Sequence, residues 1–364
     1  MKIGFLIYGS LDAITGGNIY DRELRSVLQD LGHSTEILPI TQHTYYRNVL
    51  HNFTGTLVDK IKTAHLDLLL EDELVHPALF YLNHWIRSRF HIPIVAIVHN
   101  LTTYSNERPR VHFLSRKLEQ WYLKSLDGYI GVSKKSLNQV QSMVGHKMPS
   151  TFANPAGNRF GVEISENQVL QRSKQPGSLR ILFLGNITPN KQLDVLLKAL
   201  KTLSRDSFVL DVIGKFGRNS DYQMLCNHLV QQYHLQDSVH FYGLIKDREK
   251  MAKILEKAHV LVLPSQSEGF PIVMVEAADF GIPSVVTSES AADEFIQHKV
   301  NGFLVKPSDV NAIAEYLQLL HSDRDYLAEV SVAALQRYHT HPTWRETGQK
   351  VNQFLKQFSE GKTE

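Results

Sequence analysis

The sequence has 364 residues, 43% of them hydrophobic and 21% charged, and its 39 Lys and Arg residues nearly balance 37 Asp and Glu residues. This composition is typical of a globular protein of about two domains and excludes a disordered chain or a collagen-like fibre. The formal net charge of +2 argues against bulk nucleic-acid binding, so no nucleic-acid partner is expected. A single cysteine, Cys226, excludes an intramolecular disulfide and a cysteine-based metal cluster.

The hydropathy pattern bears on location. No apolar run approaches the ~18 residues that span a bilayer, and the apolar start Ile3–Tyr8 is too short for the core of a signal peptide. A cytoplasmic protein is therefore expected.

Along the first part of the chain, short apolar runs alternate with stretches of helical period, which predicts βαβ units and a parallel sheet. The predicted strands are Lys2–Gly9, Ser34–Ile40, Asp67–Asp72, Ile92–His99, Gly128–Ser133 and Thr151–Asn154. The predicted helices are Ile19–Leu31, His76–Arg89, Pro109–Leu126 and Lys134–Val144. Most of these strands are apolar on both faces, as expected when helices cover both sides of a sheet.

The pattern stops between Asn154 and Ser178, a polar segment bracketed by Pro and Gly that we interpret as an interdomain linker. It then restarts, with strands predicted at Leu179–Gly185, Phe208–Gly214, Val239–Gly243, Val260–Pro264, Ser284–Thr287 and Gly302–Val305. Helices are predicted at Lys191–Leu203, Asp221–Tyr233, Arg248–Lys257, Ile272–Phe280 and Val310–Leu320, and an amphipathic helix, Trp344–Phe358, follows Pro342.

The sequence thus predicts an α/β protein with two Rossmann-like parallel-sheet domains, residues 1–160 and 161–342, and a final helix in 343–364. Parallel sheets bind ligands beyond the carboxyl ends of their strands, so two such domains are expected to face a central cleft.

The loop after the first predicted strand contains Gly16-Gly17 just before a helix. Glycines there let backbone N–H groups approach an anion closely, although an ordinary flexible turn has the same composition. The sequence contains no Gly-x-Gly-x-x-Gly, which removes the main support for a nicotinamide-dinucleotide site.

Lys191 follows a strand of the second half and falls in the first turn of the next predicted helix. A cation there opposes the helix dipole by ~0.3–1 kcal/mol, and a bound phosphate would reverse that sign. A surface lysine placed there by chance is the alternative.

The most specific segment runs from Pro264 to Ala277, where a buried strand leads into a polar loop and then a helix beginning near Pro271. Glu268 precedes that helix and Glu276 lies about one turn inside it. The N–H groups at the helix start can hold an anion between them. Each glutamate alone has an ordinary explanation, as a helix-stabilising or a solvated carboxylate, but the pair around Gly-Phe-Pro is more specific.

Two further loops carry polar groups at strand ends. His99-Asn100 follows one strand, where the imidazole could hydrogen-bond a substrate, although the chain has 18 histidines and a random loop position is the default. Asp72 and Glu73 follow another strand, where they could receive acceptor hydroxyls or form a solvated acidic loop.

Other signatures are missing or have a simpler explanation. No His, Asp and Glu residues show metal-ligand spacing, and neither a Gly-x-Ser-x-Gly elbow nor a P-loop is present. Asp323-Arg324-Asp325 matches an Asp-x-Asp metal signature but lies in a helical stretch, and we interpret it as a solvated helix connection.

From the Glu268–Glu276 segment outward, the sequence resembles the family 4 retaining glycosyltransferases of the GT-B fold. The resemblance extends over nearly the whole chain, through Gly16-Gly17, His99, Lys191, the two glutamates and the C-terminal helix. It implies two Rossmann-like domains, with the last helix crossing back onto the first.

The resemblance also implies roles. His99, Lys191 and Glu268 would be catalytic, with His99 beside the transferred sugar, Lys191 on the diphosphate and Glu268 on sugar hydroxyls. Glu276 would take the ribose hydroxyls. The donor-binding residues implied are Gly16, Gly17, Asn186, Lys191, Gly214, Lys215, Gly243, Leu244, Glu268, Gly269, Phe270, Pro271, Ile272, Val273 and Glu276. The residues expected on the acceptor side are Asp72, Glu73 and Asn100.

Two positions depart from the family pattern. Asn186 stands where the family usually has a basic residue, and Gln192 stands where it has a glycine after the lysine. Losing one cation removes a charge-assisted contact of ~1.5–3 kcal/mol. Lys215 and Arg218 are candidates to replace it; a weaker donor complex or lost turnover are the alternatives.

The expected activity is retaining transfer of a hexosyl group from a UDP or GDP sugar to a hydroxyl of a saccharide or lipid-linked acceptor. No metal and no further cofactor is expected. A sugar-nucleotide 2-epimerase of the same fold and a non-catalytic sugar-nucleotide sensor remain as alternatives, and a dehydrogenase is possible on fold grounds alone.

Basic and aromatic residues in 108–124 raise peripheral membrane contact as a further expectation, with a solvated helix face as the alternative. They are Arg108, Arg110, Phe113, Arg116, Lys117, Trp121, Tyr122 and Lys124, with Glu107 and Glu119 opposing.

Overall fold

The computed structural model describes residues 1–12, 14–104, 112–217 and 220–358. Its contacts divide the chain into two units: Met1–Pro155 with Pro342–Glu364 form unit 1, and Ala156–His341 form unit 2. Each unit is built around one parallel sheet of six strands.

The sheet of unit 1 has the order β2-β1-β3-β4-β5-β6. Its strands are β1 (Lys2–Tyr8), β2 (Ser34–Ile40), β3 (Leu68–Asp72), β4 (Ile94–Val98), β5 (Gly128–Gly131) and β6 (Ser150–Phe152). The helices of this unit are α1 (Gly16–Asp30), α2 (Tyr45–Val49), α3 (Thr56–Ala64), α4 (His76–Leu79), α5 (Leu82–Phe90), α6 (His112–Lys124), α7 (Lys134–Val144) and α15 (Trp344–Lys356). Every residue of β3 and β4 is buried, as expected of central strands covered by helices on both faces.

The last helix, α15, belongs to unit 1. Thr343 caps it through a capping box with Glu346, and its apolar face buries Val351, Phe354 and Leu355. The helix lies so close to α1 that a side chain at Gly348 would overlap Val27. Unit 1 is therefore assembled from both ends of the described chain.

The sheet of unit 2 has the order β12-β11-β10-β7-β8-β9. Its strands are β7 (Leu179–Leu184), β8 (Phe208–Ile213), β9 (Val239–Gly243), β10 (Val260–Leu263), β11 (Ser284–Thr287) and β12 (Gly302–Val305). Its helices are α8 (Glu166–Lys174), α9 (Leu193–Leu200), α10 (Ser220–Gln232), α11 (Arg248–Leu255), α12 (Ile272–Asp279), α13 (Val310–Ser322) and α14 (Arg324–His339).

The segment interpreted as an interdomain linker contains a helix that the sequence did not predict. Residues Glu166–Lys174 form α8, which begins with a capping box between Ser165 and Gln168. Val169 of this helix is buried against Gly281. The sequence shows no helical pattern here because Val169 is the one apolar residue among the three that α8 buries; the others are Arg172 and Ser173.

Several helix predictions need correction. The predicted single helix His76–Arg89 is divided into α4 and α5, because the Asn52 side chain accepts the backbone N–H groups of Tyr81 and Leu82 at the break (3.0 and 3.2 Å). Helices α2 and α3 were not predicted, and neither was the full extent of α14. The predicted start of α6 at Pro109 lies outside the described residues.

Among the described residues, none of the helices combines the length and the apolar character that crossing a lipid bilayer would require.

Candidate active site

The strand orders locate the points where each sheet reverses its direction of winding. In unit 2 the reversal falls between β7 and β10, and in unit 1 it falls between β1 and β3. Loops at such points diverge to opposite faces of the sheet and leave a crevice at the strand ends, which is where open α/β sheets bind ligands.

In unit 2 the loops after β7 and β10 are joined to each other. The carbonyl of Asn190 accepts a hydrogen bond from the N–H of Gln266 (2.8 Å), and the Asn190 side chain donates to the carbonyl of Ser267 (3.1 Å). These bonds bring Lys191 beside Glu268, and the Lys191 ammonium forms an ion pair with the Glu268 carboxylate. Both side chains are about one-fifth exposed, so solvent reaches the pair.

The sequence predicted that Lys191 lies in the first turn of an α-helix, and this is wrong. It ends a short 3-10 turn, Pro189–Lys191, and α9 begins only at Leu193. Between them Gln192 adopts a left-handed conformation (φ 52°), which costs a non-glycine residue ~1–2 kcal/mol. This conformation gives a physical reason for the family's glycine at that position. Here the Gln192 side chain is buried and donates to Ser308 Oγ (2.8 Å).

Helix α12 begins directly after the polar loop. Its N-cap is Pro271, which has no side-chain oxygen to bond the first N–H groups, so those of Ile272 and Val273 are positioned to receive an anion. Proline itself has no N–H, so at Pro271 the backbone offers only its carbonyl. The Phe270 side chain is also buried and stacks on His341, so it packs inside unit 2.

Glu276 is fully buried, which excludes the solvated-helix alternative. The Arg159 guanidinium binds it through two nitrogens, Nε to one carboxylate oxygen and Nη2 to the other (3.2 Å for the second). Arg159 also lies over the Phe160 ring, 4.4 Å from its centroid. Sequence reasoning missed Arg159, because it lies 117 residues from Glu276 in a segment without periodicity.

The ends of β8 and β9 are hydrogen-bonded to each other close to the loop after β7. The N–H of Gly214 donates to the carbonyl of Gly243 (2.9 Å), and a side chain at Gly214 would overlap the Gly185 carbonyl oxygen. Lys215 and Leu244 are exposed. Asn186 lies in the loop after β7 and is half-buried, and Arg218 lies outside the described residues.

In unit 1, His99 follows β4 and is held from several sides. Its Nε2 lies 3.1 Å from Asp21 Oδ1 on α1, and its backbone N–H donates to Glu73 Oε2 (2.7 Å). The N–H of Asn100 donates to the other oxygen of Glu73 (3.2 Å). Tyr20 contacts the imidazole edge-on, with ring centroids 5.4 Å apart.

Asp72 and Glu73 therefore do not form the solvated acidic loop that the sequence allowed. Both are buried, Glu73 bonds the loop that carries His99, and Asp72 accepts the N–H of Leu74 (2.9 Å). Glu73 thus holds the backbone of His99 and Asn100, and its carboxylate is committed to that contact.

The glycine pair lies at the start of a helix, as the sequence predicted. Gly16 and Gly17 open α1, whose N-cap Thr15 accepts the N–H of Asn18 (3.2 Å). A Cβ at Gly17 would lie 3.4 Å from Cδ2 of His99, at the edge of ordinary van der Waals contact. Gly17 therefore lies directly against the imidazole.

The surrounding carboxylates set the charge of His99. Burial alone lowers the pKa of His99, but the charge of Asp21 and its hydrogen bond, with Asp72 and Glu73, raise that pKa to about 10. Burial raises the pKa of Asp72 to about 6, against the opposing charge of His99. At neutral pH the imidazole is therefore protonated, and it can donate a hydrogen bond but cannot accept a proton.

The fold also brings together three side chains that could hold a metal ion and that residue spacing could not predict. One ligand atom from each of Asp21, Asp72 and His99 lies within 4.8 Å of the others. The sequence indicated no such His, Asp and Glu group, because the three residues come from three separate elements. Sequence reasoning missed Asp21 altogether.

Two remaining sequence predictions concern the surface. Asp323 is the N-cap of α14 and accepts the N–H of Tyr326 (2.8 Å), and Asp325 pairs with Lys174, so Asp323-Arg324-Asp325 is a helix start, in line with the interpretation as a helix connection. On α6, Tyr122 and Glu119 are buried, which removes both from the proposed membrane-contact face. Glu119 accepts the N–H groups of Thr102 and Thr103 (2.7 and 2.9 Å). Arg108 and Arg110 lie outside the described residues.

Residues 165–337 match the protein family described as glycosyl transferases group 1. The matching stretch takes up almost all of unit 2.

Among curated proteins, the chain is 28% identical over 190 residues to the amylovoran biosynthesis glycosyltransferase AmsK of Erwinia amylovora. That alignment covers 50% of this chain and 46% of AmsK. The chain thus spans less than half the length of this relative.

Solved structures show the same fold over the whole chain. Sucrose-phosphate synthase from Thermosynechococcus elongatus superimposes with a TM-score of 0.84 at 19% identity, covering 99% of each chain. HepE from Anabaena, solved in complex with UDP-glucose, gives a TM-score of 0.78 at 17% identity and covers 98% of this chain and 100% of its own. The predicted fold class, α/β of GT-B type with two parallel-sheet domains, is confirmed.

Proposed function

We propose that the protein is a retaining, metal-independent family 4 glycosyltransferase that moves a hexosyl group from a UDP or GDP sugar to a hydroxyl of a saccharide or lipid-linked acceptor. The observation that carries this proposal is the Lys191–Glu268 ion pair at the switch point of unit 2, beside the start of α12. HepE, of the same fold, was solved with UDP-glucose, which supports a uridine nucleotide as the donor. AmsK is named for amylovoran biosynthesis, which supports a saccharide acceptor.

The residues of unit 2 fit the donor. Departure of a nucleoside diphosphate develops negative charge on its phosphates, which an ammonium and the N-terminus of a helix stabilise. Lys191 supplies the ammonium, and α12 supplies the N–H groups of Ile272 and Val273. Glu268, released from Lys191 by the phosphate, is then able to accept hydrogen bonds from sugar hydroxyls.

Glu276 is proposed to bind the ribose hydroxyls, as the family resemblance implies. Because Arg159 covers its carboxylate, binding requires that guanidinium to move. Arg159 is then placed to meet donor phosphate with a planar pair of N–H groups. It is a second candidate, with Lys215, to replace the basic residue that Asn186 lacks.

His99 is proposed to act as a charged hydrogen-bond donor to the transferred sugar. Its pKa of about 10 makes it a poor general base, so the acceptor proton must go elsewhere. The departing phosphate oxygen is the proposed proton acceptor, which also removes the need for a protein nucleophile.

The test is a transfer assay on the full chain with UDP- and GDP-sugars and a panel of saccharide acceptors. Lys191→Ala should lower turnover ~10²–10³-fold, the effect of removing one stabiliser of developing charge. Lys253→Ala, at an exposed lysine of α11, is the matched control and should retain the wild-type rate. Near-wild-type turnover in folded Lys191→Ala protein contradicts the proposed role.

The same assay separates the alternatives. Proton NMR of the product should show the anomeric configuration of the donor, and a chelator should leave the rate unchanged. An altered free sugar nucleotide identifies the epimerase, and donor binding without release of nucleoside diphosphate identifies the sensor. Loss of activity on chelation, restored by a divalent cation, overturns metal independence. In that case Asp21, Asp72 and His99 are the candidate metal ligands.

We also propose peripheral contact of unit 1 with the inner face of a membrane, consistent with a cytoplasmic nucleotide-sugar donor. On α6, Phe113 is 74% exposed and Trp121 is 52% exposed. Arg116, Lys117 and Lys124 are exposed on the same helix. Such a mixture suits an anionic lipid surface.

The membrane test is co-sedimentation with phosphatidylglycerol vesicles and with phosphatidylcholine vesicles. Binding to the anionic vesicles alone, reduced in Trp121→Ser, is expected. Equal recovery in the supernatant with both compositions contradicts the proposal.

A further inference from the structure

A second crevice lies in unit 2, at the opposite edge of the sheet from the donor residues. It is a groove of about 670 Å³ bounded by α8, by the segment leading into β7 and by the end of α11. Arg180 lies at the start of β7, and His259 directly precedes β10. Lys191 and Glu268 follow the other ends of these two strands, so the groove and the donor residues are separated by the length of the sheet.

Arg172 is the most buried cation of this groove. Only 8% of it is exposed, and its Nη2 donates to the carbonyl of Gly281 (2.8 Å). Within the described parts of the chain, its Nε has no hydrogen-bond partner and no carboxylate pairs with it. Buried guanidinium groups are ordinarily paired, so the unmatched Arg172 points to an anion from outside the chain.

Further cations line the same groove. Arg180 lines the groove and its Nη2 donates a hydrogen bond to Oδ2 of Asp211 (3.2 Å), while its Nε has no partner in the described structure. Lys257 lines the groove and is exposed. Glu256 is the one acidic side chain among the described lining residues, and Asp211 pairs with Arg180, so three cations face two carboxylates and positive charge still exceeds negative charge.

The pKa of His259 responds to this excess of positive charge. Its Nδ1 accepts the backbone N–H of Arg180 (2.9 Å), so the ring is held at the wall of the groove. Burial, followed by the charges of Arg324, Arg172 and Arg180, lowers the pKa of His259 to about 3. The ring is therefore neutral under physiological conditions, and the arginines and Lys257 carry the charge.

We propose that this groove binds a small phosphorylated molecule, with its phosphate at Arg172, Arg180 and Lys257. Guanidinium groups bind phosphate through paired, charge-assisted hydrogen bonds, which suits a groove lined by two arginines. The amides of Gln168, Gln171 and Gln175 line the rest of the groove and suit the hydroxyls of a sugar. The volume is within the range of small-molecule sites, about 300–1,000 Å³. This site is separate from the donor site and does not depend on the proposed transfer reaction.

The test is calorimetric titration of the full chain with inorganic phosphate and with glucose 6-phosphate, each repeated with the donor site saturated by UDP. Both probes should bind, the sugar phosphate more tightly, and saturation with UDP should leave their affinities within twofold. Arg180→Gln and Lys257→Gln should each weaken phosphate binding about tenfold, the effect of one charge-assisted contact. Lys253→Gln removes the same charge from α11 outside the groove and should leave affinity unchanged.

Arg172→Lys tests the guanidinium itself and should weaken binding while preserving charge. If that variant does not fold, Arg180→Gln and Lys257→Gln still decide the question. The proposal is overturned if neither probe binds, if both surface variants bind like wild type, or if UDP competes with the probes.

Discussion

Nε2 of His99 lies 3.1 Å from Oδ1 of Asp21, which links the end of β4 to the buried face of α1. Asp21 is 1% exposed, so this carboxylate acts in a medium where charge interactions are strong. The pair defines His99 as a cation and not as a base.

Replacing Asp21 with Asn should lower the pKa of His99, because the carboxylate is the main group that raises it. Because the pKa of His99 is higher in the folded state, protonation of His99 stabilises the folded protein fully at pH values below the ordinary pKa of ~6.5. This stabilisation is lost as the pH rises through about 10. The stability difference between wild type and Asp21→Asn should therefore be larger at pH 6 than at pH 10. NMR titration of His99 and denaturant unfolding at both pH values measure these effects.

Asp59→Asn, at an exposed position of α3, serves as the control and should leave the titration of His99 unchanged. An unaltered pKa of His99 in Asp21→Asn protein would contradict the assignment of its charge to Asp21.

Arg159→Met should be strongly destabilising, because it leaves the fully buried carboxylate of Glu276 without its partner. Breaking one side of a buried pair costs ~3–5 kcal/mol. Denaturant unfolding should show a loss of that order, compared with less than ~0.5 kcal/mol for the exposed Arg205→Met. Equal stability of the two variants would mean that Arg159 contributes little to the packing of Glu276.

Acid should destabilise the protein partly through His259. Its lowered pKa means that stability is present above the ordinary value of ~6.5 and is lost as pH falls toward about 3. Between pH 7 and pH 5 this group should account for about 2 kcal/mol of lost stability. In His259→Asn, where an amide oxygen can accept the N–H of Arg180, that part of the loss should disappear.

The measurement is unfolding in phosphate-free buffers at pH 5 and pH 7, with His228→Asn as an exposed control in unit 2. An acid response in His259→Asn that matches wild type rules out His259 as the titrating group.

Gly214→Ala should destabilise the protein severely, because a Cβ there overlaps the carbonyl oxygen of Gly185 where β7 and β8 end. Gly177→Ala is the matched control: it also has positive φ (112° against 148°), but no atom lies within 4 Å of its Cβ position. The control should lose ~1–2 kcal/mol from backbone strain alone. Thermal unfolding of both variants isolates the steric cost at Gly214, and similar melting temperatures would exclude a close approach.

The alternation of apolar runs and helical stretches was sufficient to predict both parallel sheets, because buried parallel strands carry their signal within a few consecutive residues. Helix α8 was missed, since Val169 is the one apolar residue that it buries and its composition is nearly that of a linker. The break between α4 and α5 was missed for another reason: it depends on Asn52, about 30 residues away along the chain.

The residues of the candidate site also divide into those that the sequence predicted and those that it did not. Lys191, Glu268 and Glu276 were found because each belongs to a local segment in which a loop leads into a helix. Asp21 and Arg159 were not found, because their partners His99 and Glu276 are 78 and 117 residues away. A contact of that range leaves no periodic trace in a single sequence.

The division of the chain also fixes an order of assembly. Unit 2 is one continuous stretch, Ala156–His341, whereas unit 1 needs α15 from the far side of that stretch. During synthesis the ribosome delivers every residue of unit 2 before the helix that covers α1 emerges. The amino-terminal part must therefore wait, with an apolar surface uncovered, until α15 has been synthesised.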